Sequence, residues 1–237
     1  MVVTPTCDRM KFLQQTYRYF RAQDYPYPEN LFWCVLDDSK QRPSTLFHAS
    51  LMASPQIQYK HHPGKLRIGR KRNLLNNMAL EIGADIICAM DDDDWYGESY
   101  VREMVDLLMN SDFPMAGGSA IHYYVAGEDR ILFFNRPFGP YHSCNNLLGY
   151  KTDLLKHTSY DDAKATGEEM AFTRHFKIPL VQHPMTKRVF LGLIHSANIV
   201  PKNFISQNSK FITDLRLEDF AMDNETKVFL RSITPIN

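Results

Sequence analysis

Asp85-Ile86-Ile87-Cys88-Ala89-Met90-Asp91-Asp92-Asp93-Asp94-Trp95 is the stretch on which the fold turns. Five apolar residues bounded by acids read as a short buried strand, and Asp91 to Asp94 then sit where that strand leaves its sheet. Side chains alternate along an extended segment, so Asp91 and Asp93 point one way and Asp92 and Asp94 the other. Two carboxylates about 4 Å apart repel by roughly 4 kcal/mol at an effective dielectric near 20. A hard divalent cation offsets that repulsion, and Mg²⁺ or Mn²⁺ often shares its sphere with substrate phosphates. The competing reading is a solvated acidic turn. Position favours the metal, because ligands of open α/β sheets bind at the carboxyl ends of strands.

Outward from this strand the pattern alternates. Val2-Val3 opens a strand that runs into the polar turn Thr4–Arg9, and a helix follows over about Met10–Arg21. Leu31–Leu36 is a second strand ending in Asp37-Asp38-Ser39, and residues 40–64 read as irregular chain. A helix over about Gly69–Ile82 carries Leu74, Leu75, Met78, Ala79 and Ile82 on one stripe, and another over about Glu98–Met109 repeats the spacing. This alternation predicts an α/β fold with a mainly parallel central sheet flanked by helices. Ile121–Val125 and Arg130–Phe134, separated by Ala126-Gly127-Glu128-Asp129, predict an antiparallel β-hairpin. A helix opens at Thr166-Gly167-Glu168-Glu169 and runs to about Phe176.

Length and charge bound the rest. The 237 residues suit one large domain, and 27 basic against 27 acidic residues leave no nucleic-acid or membrane signature. The N-terminus lacks the basic and apolar regions of a signal peptide, and no apolar run approaches the ~20 residues of a membrane helix. Four cysteines without C-x-x-C spacing point to free thiols in a reducing compartment, and the N-terminus without a signal peptide to a cytoplasmic protein, either soluble or peripheral to a membrane.

Two further groups carry chemistry. Lys65, Arg67, Arg70, Lys71 and Arg72 crowd the start of the second helix, where the helix dipole disfavours cations. An anion bound there explains the arrangement, with Arg72 and Arg67 the first candidates for a phosphate; a solvated basic turn is the alternative. Asp37 ends its strand much as the four acids end theirs, in a position suited to a ribose or a base N–H, or to capping a turn.

In this order, Val3–Arg9, Val35–Ser39, Gly69–Asn73, Met90–Asp94 and Gly167–Glu169 resemble the GT-A fold glycosyltransferases of the family 2 type. The resemblance implies a Rossmann-like GT-A catalytic domain over residues 1–237. It would have a nucleotide-binding half over about 1–95, an acceptor and catalytic half over about 96–200 carrying the small hairpin, and a C-terminal extension over about 201–237. The implied reaction moves a sugar from a nucleoside-diphosphate sugar, UDP-sugar favoured, to an acceptor hydroxyl on a glycan, lipid or protein, with inversion and with Mn²⁺ or Mg²⁺. Carried over by position, Thr4, Thr6, Asp8 and Arg9 surround the base and ribose, Asp37 contacts the base, and Arg72 lies near the diphosphate. The family's D-x-D motif maps to Asp91-Asp92-Asp93, with Asp91 on the ribose or sugar side and Asp93 on the metal; Asp92–Asp94 is the other register. His195, after the apolar run Phe190–Ile194, is the candidate to complete the metal sphere. Where the family has Glu-Asp this chain has Glu168-Glu169, so Glu169 takes the position of the catalytic base, with Glu168 as the alternative. Trp95 and Tyr96 would stack on the acceptor or pack beneath the next helix, and Asn145-Asn146 would line the donor-sugar pocket. A sugar-phosphate nucleotidyltransferase fits less well, because Thr4–Arg9 lacks glycine. A sugar- or Ca²⁺-binding module without turnover is the reading from another class.

Overall fold

A computed structural model describes residues 1–198, 205 and 208–235. The chain begins in β1 (Val2–Thr6), which pairs in parallel with β2 (Trp33–Asp37) on one side and β4 (Ile86–Ala89) on the other. β3 (Ile57–His61) extends the sheet in parallel beyond β2. On the far side of β4 lies β9 (Gly149–Lys151), antiparallel to it and to β6 (Met115–Gly117), which pairs in parallel with β10 (Leu180–Gln182). The seven strands stand in the order β10-β6-β9-β4-β1-β2-β3. A second sheet is built, in spatial order, from β5 (Trp95–Tyr96), β11 (Phe190–Ile194), β7 (Ala120–Val125) and β8 (Arg130–Asn135).

Successive residues of β1 serve opposite faces of the sheet. Val2 joins a core with Leu13 and Phe20 of α1 (Met10–Arg21) and Met104 and Leu108 of α4 (Tyr100–Met109). Val3 joins another with Leu75 and Ala79 of α3 (Ile68–Glu81). This is the period-two alternation of a strand buried on both sides. The hairpin forms as its sequence predicts, with β7 and β8 antiparallel and Val125 opposite Arg130.

Three expectations change. Thr4 and Thr6 lie within β1 and are buried, in place of the expected polar turn. Residues 40–64 contain α2 (Thr45–Met52), capped by the Ser44 hydroxyl, and the edge strand β3. β3 alternates, with Ile57 buried, Tyr59 and His61 half-buried and Gln58 and Lys60 exposed, and it pairs with β2 along its length. The helix expected to reach Phe176 stops early: α5 covers only Glu169–Phe172, and Arg174, His175 and Phe176 have φ of 51°, 56° and 58°. That left-handed run is incompatible with a continuing right-handed helix.

β1, β2 and β4 run in the same direction, so Thr6, Asp37 and the acid run after Ala89 gather at one edge of the sheet. Among the described residues no helix is long and apolar enough to cross a membrane.

Candidate active site

The four acids diverge. Asp91 receives a bidentate pair from Arg72, Nη1 and Nη2 each 2.9 Å from its carboxylate oxygens. Asp92 accepts from the Thr6 hydroxyl at 2.6 Å and from Arg9 Nη1 at 3.1 Å. The same Arg9 nitrogen donates to Asp93 Oδ2 at 2.7 Å. Asp94 turns inward to the Leu193 N–H at 2.8 Å and to the Asn146 amide. Exposure alternates along the run, with Asp92 and Asp94 buried and Asp91 and Asp93 half-buried. Burial pushes the Asp92 carboxyl upward, against the opposing pull of Arg9. Arg9 itself lies above the ordinary range, because Asp93 and Asp92 outweigh the cost of its burial.

Asp93 also faces β11. His195 Nε2 is 3.3 Å from Asp93 Oδ2, and the Asn198 amide donates to that oxygen at 3.3 Å. The His195 ring is buried and stacked on Phe12 of α1, centroids 4.9 Å apart. A carboxylate and an imidazole aimed at one point form a donor pair suited to Mn²⁺ or another divalent ion that accepts mixed oxygen and nitrogen ligands. The residues fit the cation in this sense, although no cluster of three or more His, Cys, Asp or Glu stands ready among the described residues. Asp91 does not join this pair; its two oxygens are committed to Arg72.

Arg72 links the acids to the glutamates. Its Nε donates to Glu168 Oε1 at 2.8 Å while its two terminal nitrogens hold Asp91. The orientation of Asn145 that pairs every polar atom sets its amide oxygen 2.8–2.9 Å from the guanidinium and its nitrogen against the Tyr160 hydroxyl. Burial disfavours the Arg72 charge, but Asp91 and Glu168 outweigh it, and Arg72 lies well above its usual value. The basic cluster therefore splits by helix face. Arg72 and Lys71 lie on the buried stripe of α3 with Leu75, Asn76 and Ala79. Lys65, Arg67 and Arg70 are exposed, Arg70 pairing with Asp162. Arg72, expected near a diphosphate, has its N–H groups turned to protein acceptors instead.

Glu169 is different from Glu168. It is half-buried, and among the described residues no ion pair or side-chain hydrogen bond holds its carboxylate. Burial first, and then neighbouring Glu168, raise its pKa.

The opening segment is mostly internal structure. The Thr4 hydroxyl donates to the Met90 carbonyl at 2.6 Å and accepts from Trp33 Nε1 at 2.8 Å. Asp37 is fully buried and accepts from the Tyr59 hydroxyl at 2.7 Å and the Ser39 N–H at 2.8 Å. Asp8 is exposed at φ 53°, its carboxylate accepting the Lys40 N–H at 3.0 Å. Trp95 and Tyr96 are buried, which excludes a stack on an acceptor. The Tyr96 hydroxyl instead accepts the Asp91 N–H at 2.8 Å and donates to the Asn146 carbonyl at 2.7 Å.

Sequence reasoning missed the Lys71–Asp38 pair, in which Lys71 Nζ also donates to the Thr6 carbonyl at 2.9 Å. Burial raises the Asp38 carboxyl, but the Leu66 N–H and Lys71 outweigh it and hold it below its ordinary value. The signal was the helix period: 71 and 72 precede 75, 76 and 79 on the same stripe.

A family model described as Glycosyl transferase family 2 matches residues 1–160. No curated protein compared with the chain matches it. Among solved structures, S. aureus TarS 1-349 in complex with UDP-GlcNAc is similar at 14% identity and a TM-score of 0.64, over 83% of this chain and 59% of that one. The same protein in complex with UDP matches at 12% identity and 0.64, over 82% and 60%. The mannosyltransferase PcManGT from Pyrobaculum calidifontis, in complex with GDP-Man and Mn²⁺, matches at 13% and 0.58, over 87% and 58%. These likenesses show a shared fold. The chain spans about three-fifths of the length of each of these three structures.

Proposed function

The chain belongs to glycosyl transferase family 2, and from that premise we propose that it transfers a sugar from a nucleoside-diphosphate sugar to an acceptor hydroxyl with Glu169 as general base. One observation carries the assignment of the base: Arg72 gathers Asp91 and Glu168 into one ion cluster and leaves Glu169 beside it with no ion pair of its own among the described residues. A carboxylate tied to a guanidinium is a poor proton acceptor; an unpaired one with a raised pKa is a better one.

In the proposed step the acceptor oxygen attacks the anomeric carbon and its proton passes to the Glu169 carboxylate. The bond from that carbon to the diphosphate oxygen breaks, and the nucleoside diphosphate leaves with the electron pair. A single displacement inverts the anomeric centre. Asp93 and His195 would hold Mn²⁺ or Mg²⁺, and the bound cation supplies charge stabilisation at the departing diphosphate. Thr6 and Arg9 fix the acids from the β1 side. Residues 1–95 serve as the nucleotide half in this reading, and residues 96–200 as the catalytic half. UDP is the favoured nucleotide, a choice supported by the UDP and UDP-GlcNAc complexes of a structure with the same fold.

The test is turnover of UDP-sugars by Glu169→Gln and Glu168→Gln. Loss of a general base typically costs about 10²–10⁴-fold in rate. Glu169→Gln should show that loss while keeping UDP binding. Glu168→Gln should unsettle Arg72 and weaken folding. Full turnover by Glu169→Gln would remove it from the mechanism.

A further inference from the structure

Arg9 lies where a cation would have to come. Its Nη1 is 2.7 Å from Asp93 Oδ2 and 3.1 Å from Asp92 Oδ1, and its Nη2 donates to the Ala197 carbonyl. Asp93 Oδ2 is also approached by His195 Nε2 and Asn198 Nδ2, each at 3.3 Å. The His195 Nδ1 accepts the Ala197 N–H at 3.2 Å, so in the neutral ring the proton sits on Nε2 and points at Asp93. Asp93 Oδ2 thus accepts hydrogens from the chain itself, and His195 Nε2 is one of their donors.

We propose that Arg9 is an exchange element, competing with the divalent cation for Asp93 and moving to the donor's diphosphate when the cation takes its place. The proposal rests on the nucleotide-sugar reading of the site. A guanidinium and a divalent ion on one carboxylate oxygen repel, so a cation at Asp93 drives Arg9 away. A guanidinium leaving the Asp92–Asp93 carboxylates needs another anion, and its planar fork matches phosphate oxygens. The diphosphate of the donor supplies one. Without it, displacing Arg9 exposes a largely buried charge to poor solvation, and cation binding is weak. Metal and nucleotide therefore bind with positive coupling, and the factor is the same in both directions.

A strut would behave differently. Arg9 joins three segments: the loop after β1, the acids and the turn after β11. If that were its whole role, removing it would loosen Asp93 and His195 and weaken the metal site.

The experiment is a Mn²⁺ titration followed by the electron paramagnetic resonance signal of free Mn²⁺, on wild type and Arg9→Met, with and without UDP or GDP, each against the same nucleotide without protein. Wild type should bind Mn²⁺ weakly alone and roughly tenfold or more tightly with UDP. Arg9→Met should bind Mn²⁺ alone roughly tenfold more tightly than wild type, and UDP should enhance that binding less. Arg9→Gln, which keeps a polar side chain without the charge, serves if the methionine variant does not fold. Equal or weaker Mn²⁺ binding by both variants, with wild type still coupled to UDP, overturns the exchange role alone. Absence of Mn²⁺ binding to wild type with UDP or GDP overturns the reading of the site as well.

Discussion

Replacing Arg72 by methionine separates a phosphate contact from an internal strut. Arg72 is 5% exposed and holds Asp91 through two bonds of 2.9 Å and Glu168 through one of 2.8 Å. The variant keeps most of the aliphatic volume but strands two carboxylates, and the Glu168 side chain is only 8% exposed. Removing one partner from a buried pair costs about 3–5 kcal/mol. A chain of this size loses about 2–4 °C of melting temperature per kcal/mol, so a fall on the order of 10 °C follows. Urea unfolding without nucleotide should show it as a lower midpoint at unchanged slope. Arg72→Met with Glu168→Gln should be more stable than Arg72→Met alone, since the stranded buried charge is gone, and the two changes should couple by about 1 kcal/mol or more. Arg72→Lys should rescue little, because a point charge cannot hold both acids in a planar fork. A loss below about 1 kcal/mol, with the defect appearing only in nucleotide affinity, would refute the strut and restore the phosphate contact.

Gly69→Ala should damage the site from a distance. A Cβ there would lie 1.9 Å from the Asp161 carbonyl oxygen, so the segment leading to Glu168 must shift. Overpacking costs about 1–3 kcal/mol, and turnover should fall with stability; a variant as active and stable as wild type would contradict the packing. Acid should destabilise the fold through His122, whose pKa is lowered to about 4 by burial and then by Lys187. The unfolded imidazole binds a proton below about 6.5, so this stability is present above that pH and lost as pH falls toward 4. His122→Phe should flatten the urea midpoint between pH 6.5 and 4, and an unchanged slope there would exclude His122 as its source.

The sequence showed where charge gathers more clearly than what each charge touches. The strand before Asp91, the alternation of strands and helices and the hairpin were legible because their signals are local: an apolar run, a period, a turn. The antiparallel β9 was not, since three residues at Gly149–Lys151 carry no pattern and only their neighbours β4 and β6 define them. The basic cluster shows the limit most sharply. Five cations in eight residues suggest an anion, yet the two that matter most are buried and meet partners far along the chain, Lys71 meeting Asp38 and Arg72 meeting Asp91 and Glu168. Helical period alone places 71 and 72 on the stripe of Leu75 and Ala79, and an arginine on a core stripe must find a carboxylate rather than water. That rule needs only the spacing of residues, and it favours an internal partner for Arg72 over a ligand. It also bears on the glutamates. Of two adjacent acids, the one needed to neutralise the buried arginine is Glu168, and Glu169 stays outside that ion pair.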